Sequence, residues 1–147
     1  PLWSRGLGDV YKRQWQACGA KLFTLDAATH DRVFATVSHL PHLLAFALVE
    51  QVAMQPDAEQ LFSFAAGGFR DFTRIASSSP EMWRDICVAN RAALSQELQR
   101  YRALLDQLQQ ALDAADGAAL ATVFARARQA REHWIQGQPS LAAGARK

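Results

Sequence analysis

A proline sits where an uninterrupted helix would not hold one, in the most apolar part of the chain. Thr29 to Val49 reads THDRVFATVSHLPHLLAFALV. From about Ala27 to Ser38 the pattern is helical, with Val33, Phe34 and Val37 on one stripe. Pro41 has no N–H to give to the Val37 carbonyl, and its ring crowds that carbonyl. Either a second helix starts at Pro41 or one long helix kinks there. Leu43, Leu44, Phe46, Ala47, Leu48 and Val49 follow and need burial. Set into this apolar surface are Ser38, His39 and His42, with His30 further upstream. Ser38 and His42 are four apart and share a face across a modest kink; His39 lies close to that face. His30 is two turns earlier and reaches the others only if the helix is continuous. Two readings stand side by side. The polar groups line a cleft, or the segment is a kinked core helix whose histidines satisfy backbone carbonyls freed at the break.

Size and charge bound the rest. The 147 residues are half hydrophobic and one-fifth charged with a formal net charge of +2, enough for one domain with a core. Lys and Arg alternate with Asp and Glu and form no stripe, so no nucleic-acid partner is expected. The mostly apolar run Leu40 to Val49 is about half of the roughly 18–20 residues that a bilayer span needs and has His42 in it, so no membrane role is expected. Cys18 and Cys87 show no metal or redox spacing. They read as buried thiols in a reducing compartment, which places the chain in the cytoplasm. His39 and His42 have no third ligand of suitable spacing, and a metal-binding bundle would need one; no metal is expected.

Pro1 to Gln14 matches neither helical nor strand period and has no signal-peptide organisation. Asp9 to Gln14 reads like the in-frame translation of a sequencing-library transposon end, so residues 1–14 are expected to be foreign to the fold. Trp15 to Ala20 reads as a helix tail ended by Gly19, and Lys21 to Leu25 as a short strand left over from a sheet. Residues 15–26 are thus expected to be the remnant of a preceding domain. Asp26 or Thr29 then caps the next helix.

Downstream, Asp57 is placed to cap a short helix through Phe64, and Gly67-Gly68 follows. Paired glycines make sense where backbone approaches a ligand or a packed helix. Arg70 and Arg74 are one turn apart, and Asp71 lies three before Arg74. This is either a surface ion pair or an arginine oriented to hold a carboxylate by two parallel hydrogen bonds. Phe69, Phe72 and Ile75 around it favour the second. Ser77-Ser78-Ser79-Pro80-Glu81 starts a helix, with Ser78 and Glu81 at capping-box spacing and Ser79-Pro80 as the alternative cap and first position. Trp83 in that helix is core or interface. Leu94, Leu98, Tyr101, Leu105, Leu108 and Leu112 form a seam repeating every seven residues. After Asp116-Gly117 a second helix carries Leu120, Val123, Phe124, Ala127, Ala130 and Trp134, making an antiparallel hairpin. Residues 138–147 read as a frayed tail. The fold class is all-α, a kinked N-terminal helix and a C-terminal helical hairpin, preceded by a remnant strand.

The ordered set His30-Asp31, Ser38-His39-Leu40-Pro41-His42, Gly67 to Ala76 (GGFRDFTRIA), Pro80 to Trp83 (PEMW) and Asn90-Arg91 resembles prephenate dehydrogenase. The similarity runs from Trp15 to about Gly137 and is that of the family's all-helical C-terminal dimerisation domain, here residues 27–137. The resemblance implies a parent enzyme that oxidatively decarboxylates prephenate to 4-hydroxyphenylpyruvate with NAD or NADP, on the route to tyrosine, and that forms a homodimer through this domain. It implies that Arg74 binds the pyruvyl carboxylate, with Asp71 orienting its guanidinium. Ser38 and His42 would line the substrate pocket, Gly67 would admit the ligand to the backbone, and Trp83 would close the pocket, in its own or the neighbouring subunit. His39 belongs to the same set; His30 and Arg70 are weaker members. The family's proton-abstracting histidine and glycine-rich cofactor loop have no counterpart here. No catalytic residue is therefore assigned, and the fragment alone is expected to bind no cofactor and to be inactive. An arogenate dehydrogenase fragment and a non-catalytic helical interaction module are the alternatives.

Overall fold

The helix that carries the proline does not break. In the computed structural model, which describes residues 3–137 with side chains from residue 9 onward, α2 (Ala27–Phe34) passes through a π turn (Ala35–His39) directly into α3 (Leu40–Ala53). The Leu40 N–H donates to the Ala35 carbonyl, five residues back. One extra residue in the turn is how this helix accommodates a proline without ending. The helical run Ala27–Ala53 is long and apolar enough, by length and composition, to cross a membrane. This corrects the expectation taken from Leu40 to Val49 alone, because the π turn carries the helix past Pro41 and joins the apolar positions on both sides of it. Asp26 caps α2: its carboxylate accepts from the Thr29 N–H at 2.9 Å and the Thr29 hydroxyl at 2.8 Å, and these bonds hold its pKa below the ordinary value.

The chain divides into two compact units, residues 1–97 and 98–147. In the first, α3 packs against α4 (Ala58–Ser63), α5 (Gly67–Thr73) and the 3-10 turn Arg74–Ser77. Asp57 stands at the cap position of α4, but its side chain makes no capping bond. Helix α6 (Pro80–Ala89) starts at Ser79, whose hydroxyl accepts from the Met82 N–H, with Pro80 in the first turn. Of the two cap assignments, Ser79-Pro80 is the one adopted. The buried core is Ala35, Leu40, Ala45, Trp83 and Leu94, joined by one polar residue, Asn90. Two of these are alanines, and small side chains let neighbouring backbones come close.

The front of the chain departs from expectation. Helix α1 (Trp3–Ala17) runs straight through the junction at Gln14. It ends as expected at Gly19, which is left-handed at φ 80°. Gly19 N–H bonds the Gln16 carbonyl and Ala20 N–H the Trp15 carbonyl, both at 2.9 Å, a Schellman ending. Cys18 lies on that turn rather than on a packed face, and it is exposed, not buried. The strand expected over Lys21 to Leu25 does not form, and no strand occurs among the described residues. A strand needs a second backbone to pair with, and none lies alongside. The expected tail, residues 138–147, lies outside the described residues, as do Pro1 and Leu2.

The second unit holds the end of α7 (Arg91–Asp113) and α8 (Gly117–Gln136), joined by Ala114, Ala115 and Asp116. Ala115 is left-handed at φ 50°, and Asp116 N–H reaches back to the Ala111 carbonyl at 2.8 Å, a second Schellman ending built on an alanine. The Asp116 carboxylate then caps α8 through the Ala119 N–H at 2.9 Å. Leu98, Tyr101 and Leu108 are half-buried, while Leu105, Leu112, Phe124 and Trp134 are exposed. The apolar seam is real but covered only in part, with Leu105 and Leu112 left exposed.

Candidate functional site

Five rings run from α2 to α6. His30 lies against Phe34 at 4.4 Å between ring centroids, and Phe34 against His39 at 6.5 Å. His39 meets the edge of Trp83 at 6.1 Å, and His42 stacks on Trp83 at 3.6 Å with the planes 18° apart. The continuous helix is what lets His30 join, and it joins through Phe34 rather than by touching the others. Its Nδ1 pairs with the exposed Asp31 carboxylate at 3.1 Å.

His42 and Ser38 do come together, through the Ser38 backbone. The His42 Nδ1 lies 3.0 Å from the Ser38 carbonyl oxygen. A carbonyl only accepts, so Nδ1 carries the hydrogen and Nε2 is left with its lone pair. His42 is therefore fixed on two sides, by the indole face and by the helix backbone. A histidine does bond a helix carbonyl here, His42 on Ser38, although the helix is continuous, and the bond leaves the second nitrogen available.

His39 is held differently. Its Nδ1 accepts from the Asn90 amide at 3.1 Å, and the same NH2 group donates to the Asp31 carbonyl at 2.8 Å. Burial pushes the His39 pKa below its ordinary 6.5, His30 and His42 push the same way, and Asp31 opposes them. Nothing in the local sequence around Asn90 singles it out beyond the Asn90-Arg91 pair that belongs to the family resemblance, because its two partners lie 59 and 51 residues away.

Trp83 is buried, and its indole N–H is buried without a hydrogen-bond partner. Beside it, Leu43, Phe46, Pro80, Trp83, Arg84 and Cys87 line an apolar groove of about 310 Å3. Burial raises the Cys87 thiol pKa, which keeps the thiol protonated and unreactive.

The arginine segment contributes no ring to this cluster and packs on the same helix. Arg70, Asp71 and Arg74 are exposed, and among the described residues no ion pair joins Asp71 to Arg74. Arg74 opens the 3-10 turn that packs on α3, the helix of His42. The Ser77 hydroxyl closes that turn on the Arg74 carbonyl at 2.8 Å. A Cβ built on Gly67 or Gly68 meets nothing within 4 Å. Helix packing inside this chain is therefore not the reason for the glycines, and their backbone faces open space. No group of three or more His, Cys, Asp or Glu side chains able to hold a metal occurs among the described residues.

A long apolar helix widened by a π turn, in a chain with helices alone among the described residues, defines the class: an all-helical domain. The chain belongs to the prephenate dehydrogenase dimerization-domain family, whose model matches residues 26–126. It is 35% identical over 119 residues to cyclohexadienyl dehydrogenase of Zymomonas mobilis, covering 80% of this chain and 41% of that protein. It is 34% identical over 125 residues to prephenate dehydrogenase of Bacillus subtilis, covering 84% and 34%. The chain thus spans well under half the length of these curated relatives. Among solved structures, Synechocystis arogenate dehydrogenase superposes with a TM-score of 0.77 at 26% identity, covering 88% of this chain and 48% of that one. Prephenate dehydrogenase from A. aeolicus, in complex with hydroxyphenyl propionate and NAD+, superposes with 0.73 at 35%, covering 84% and 44%.

Proposed function

We propose that this chain is the substrate-binding and dimerising part of a prephenate dehydrogenase. The parent enzyme oxidatively decarboxylates prephenate to 4-hydroxyphenylpyruvate and passes a hydride to NAD or NADP, the nucleotide being held outside this chain. The observation that carries the reading is the placement of His42. It is pinned to Ser38 and Trp83 on the helix against which the Arg74 turn packs, inside a chain of this family. In the proposed site Arg74 takes the pyruvyl carboxylate as a bidentate fork, which suits a dianion better than a point charge. Asp71 orients that fork once substrate is bound. Ser38 and His42 line the pocket, with His39 behind them, and the open backbone at Gly67 admits the ligand. Trp83 closes the apolar side. His30 and Arg70 lie at the margin. Exposed Leu105, Leu112, Phe124 and Trp134 are the surface a second copy covers, giving a homodimer. Free Cys18 and Cys87 suit a reducing cytoplasm, and no membrane or nucleic-acid partner is part of the reading.

The test is Arg74→Lys in the full-length parent. Losing the bidentate fork costs roughly 1.5–3 kcal/mol of binding, a KM for prephenate raised about tenfold or more. An unchanged KM overturns the assignment. The chain alone is expected to turn over no prephenate with either nicotinamide cofactor, and measurable turnover refutes that part. The superposition on an arogenate dehydrogenase favours a second reading, in which the substrate bears an amino group in place of the keto oxygen. Comparing kcat/KM of the parent for the two substrates decides between them.

A further inference from the structure

We propose that Asn90 is the positioning residue of this site: its carboxamide holds His39 as the neutral Nε2–H tautomer and ties the π turn that carries Ser38, and with it the start of α3 that carries His42, to the end of α6. The inference rests on the reading above only in taking Ser38 and His42 to be ligand-facing; the tautomer and the tie stand on this chain's own contacts.

Asn90 is buried and locked at both backbone ends. It closes α6 with its N–H on the Ile86 carbonyl, and its own carbonyl accepts from Leu94 N–H in α7, both at 3.0 Å. The Asp31 carbonyl at 2.8 Å can only accept, so the NH2 end of the carboxamide must face it. That same NH2 lies 3.1 Å from His39 Nδ1. Both its hydrogens are therefore directed outward, and Nδ1 must offer a lone pair, which leaves the imidazole hydrogen on Nε2. A proton added to Nδ1 would set N–H against N–H. His30 and Asp31 from α2, His42 from α3, and Trp83 with Asn90 from α6 are the groups that surround the ring.

The two anchors lie on either side of the widened turn, Asp31 before it and His39 as its last residue. A π turn is a rare, locally unfavourable geometry that persists where surrounding contacts over-determine it. A two-pronged tie from a rigid helix junction does that, and it sets the rotation of the face bearing Ser38 and His42.

Long-range 1H–15N correlation spectra of the imidazoles in this chain, across about pH 5–8, test the proposal. In the wild type His39 is expected as the Nε2–H tautomer, with its protonation midpoint displaced below 6.5. Asn90→Asp places a carboxylate beside Nδ1, moves the hydrogen to Nδ1 and raises the midpoint above 6.5. Asn90→Leu removes the tie, and hydrogen exchange is expected to lose protection across residues 32–42 together with faster exchange of the His42 Nδ1–H. A wild-type His39 with its hydrogen on Nδ1 overturns the proposal even if neither variant folds. So does an Asn90→Asp midpoint equal to that of the wild type, or an Asn90→Leu exchange pattern unchanged around the turn. None of these readouts involves substrate, so an unchanged KM in Arg74→Lys sinks the functional reading and leaves this one standing.

Discussion

Trp83 is the side chain on which packing and site chemistry press hardest, and the pair Trp83→Phe and Trp83→Ala separates them. Replacing indole by phenyl gives up roughly 40 Å2 of buried apolar area, about 1 kcal/mol at 25 cal/mol per Å2. A residual cavity adds about another 1 kcal/mol if the neighbours do not close in. Against this, the indole N–H is buried with no acceptor, and a donor in that state costs roughly 1–3 kcal/mol. Phenyl removes that penalty and keeps a face for His42, which now stacks at 3.6 Å. The terms nearly cancel, so Trp83→Phe is expected within about 1 kcal/mol of the wild type. Trp83→Ala loses the stack and the whole buried side chain, and it should cost about 3–5 kcal/mol. Urea unfolding followed by circular dichroism measures both. If the phenylalanine variant falls as far as the alanine variant, the N–H has a partner, and the account of this ring as a packing element with a spare donor is wrong.

Two further outcomes follow from the geometry. Ala115 sits at φ 50° in the turn before α8, where a side chain costs about 1 kcal/mol. Ala115→Gly relieves that at some cost in unfolded-state entropy, for a net gain of about 0.5 kcal/mol in urea unfolding; a loss of stability would refute the strain. His39 has a folded pKa depressed below 6.5, so between that lowered value and 6.5 the unfolded chain binds more protons than the folded one. Stability should be full above pH 6.5 and fall as the pH drops through this window. In His39→Gln the urea midpoint should lose that part of its pH dependence, and a wild-type midpoint that rises on acidification there contradicts the assignment.

The local events were legible because their physics acts over four or five residues. Gly19 ends α1 and Asp26 caps α2 through Thr29; each needs only a donor, an acceptor and a short stretch of chain. Pro41 likewise announced an irregularity, and the seven-residue seam announced α7. The family, too, could be read from blocks of residue types alone. Local chemistry left its alternatives balanced, however. Ser78 and Ser79 were each a valid cap, a kinked continuous helix and a fresh helix start each answered Pro41, and Lys21 to Leu25 had strand chemistry with no neighbour to pair with.

Those choices were made by contacts between residues far apart in the chain. Asn90 reaches Asp31 across 59 positions and His39 across 51, and Trp83 meets both imidazoles from another helix. No window of sequence contains both ends of such a bond. Which histidine nitrogen holds the hydrogen, and which ring a tryptophan covers, are therefore decided only when the chain has packed. The sequence by itself determined local signals such as the stop at Gly19, the cap at Asp26 and the irregularity at Pro41, because backbone hydrogen bonds are short-ranged. The tertiary structure alone decided which side chains face one another, because burial and long-range pairing depend on where the rest of the chain lies.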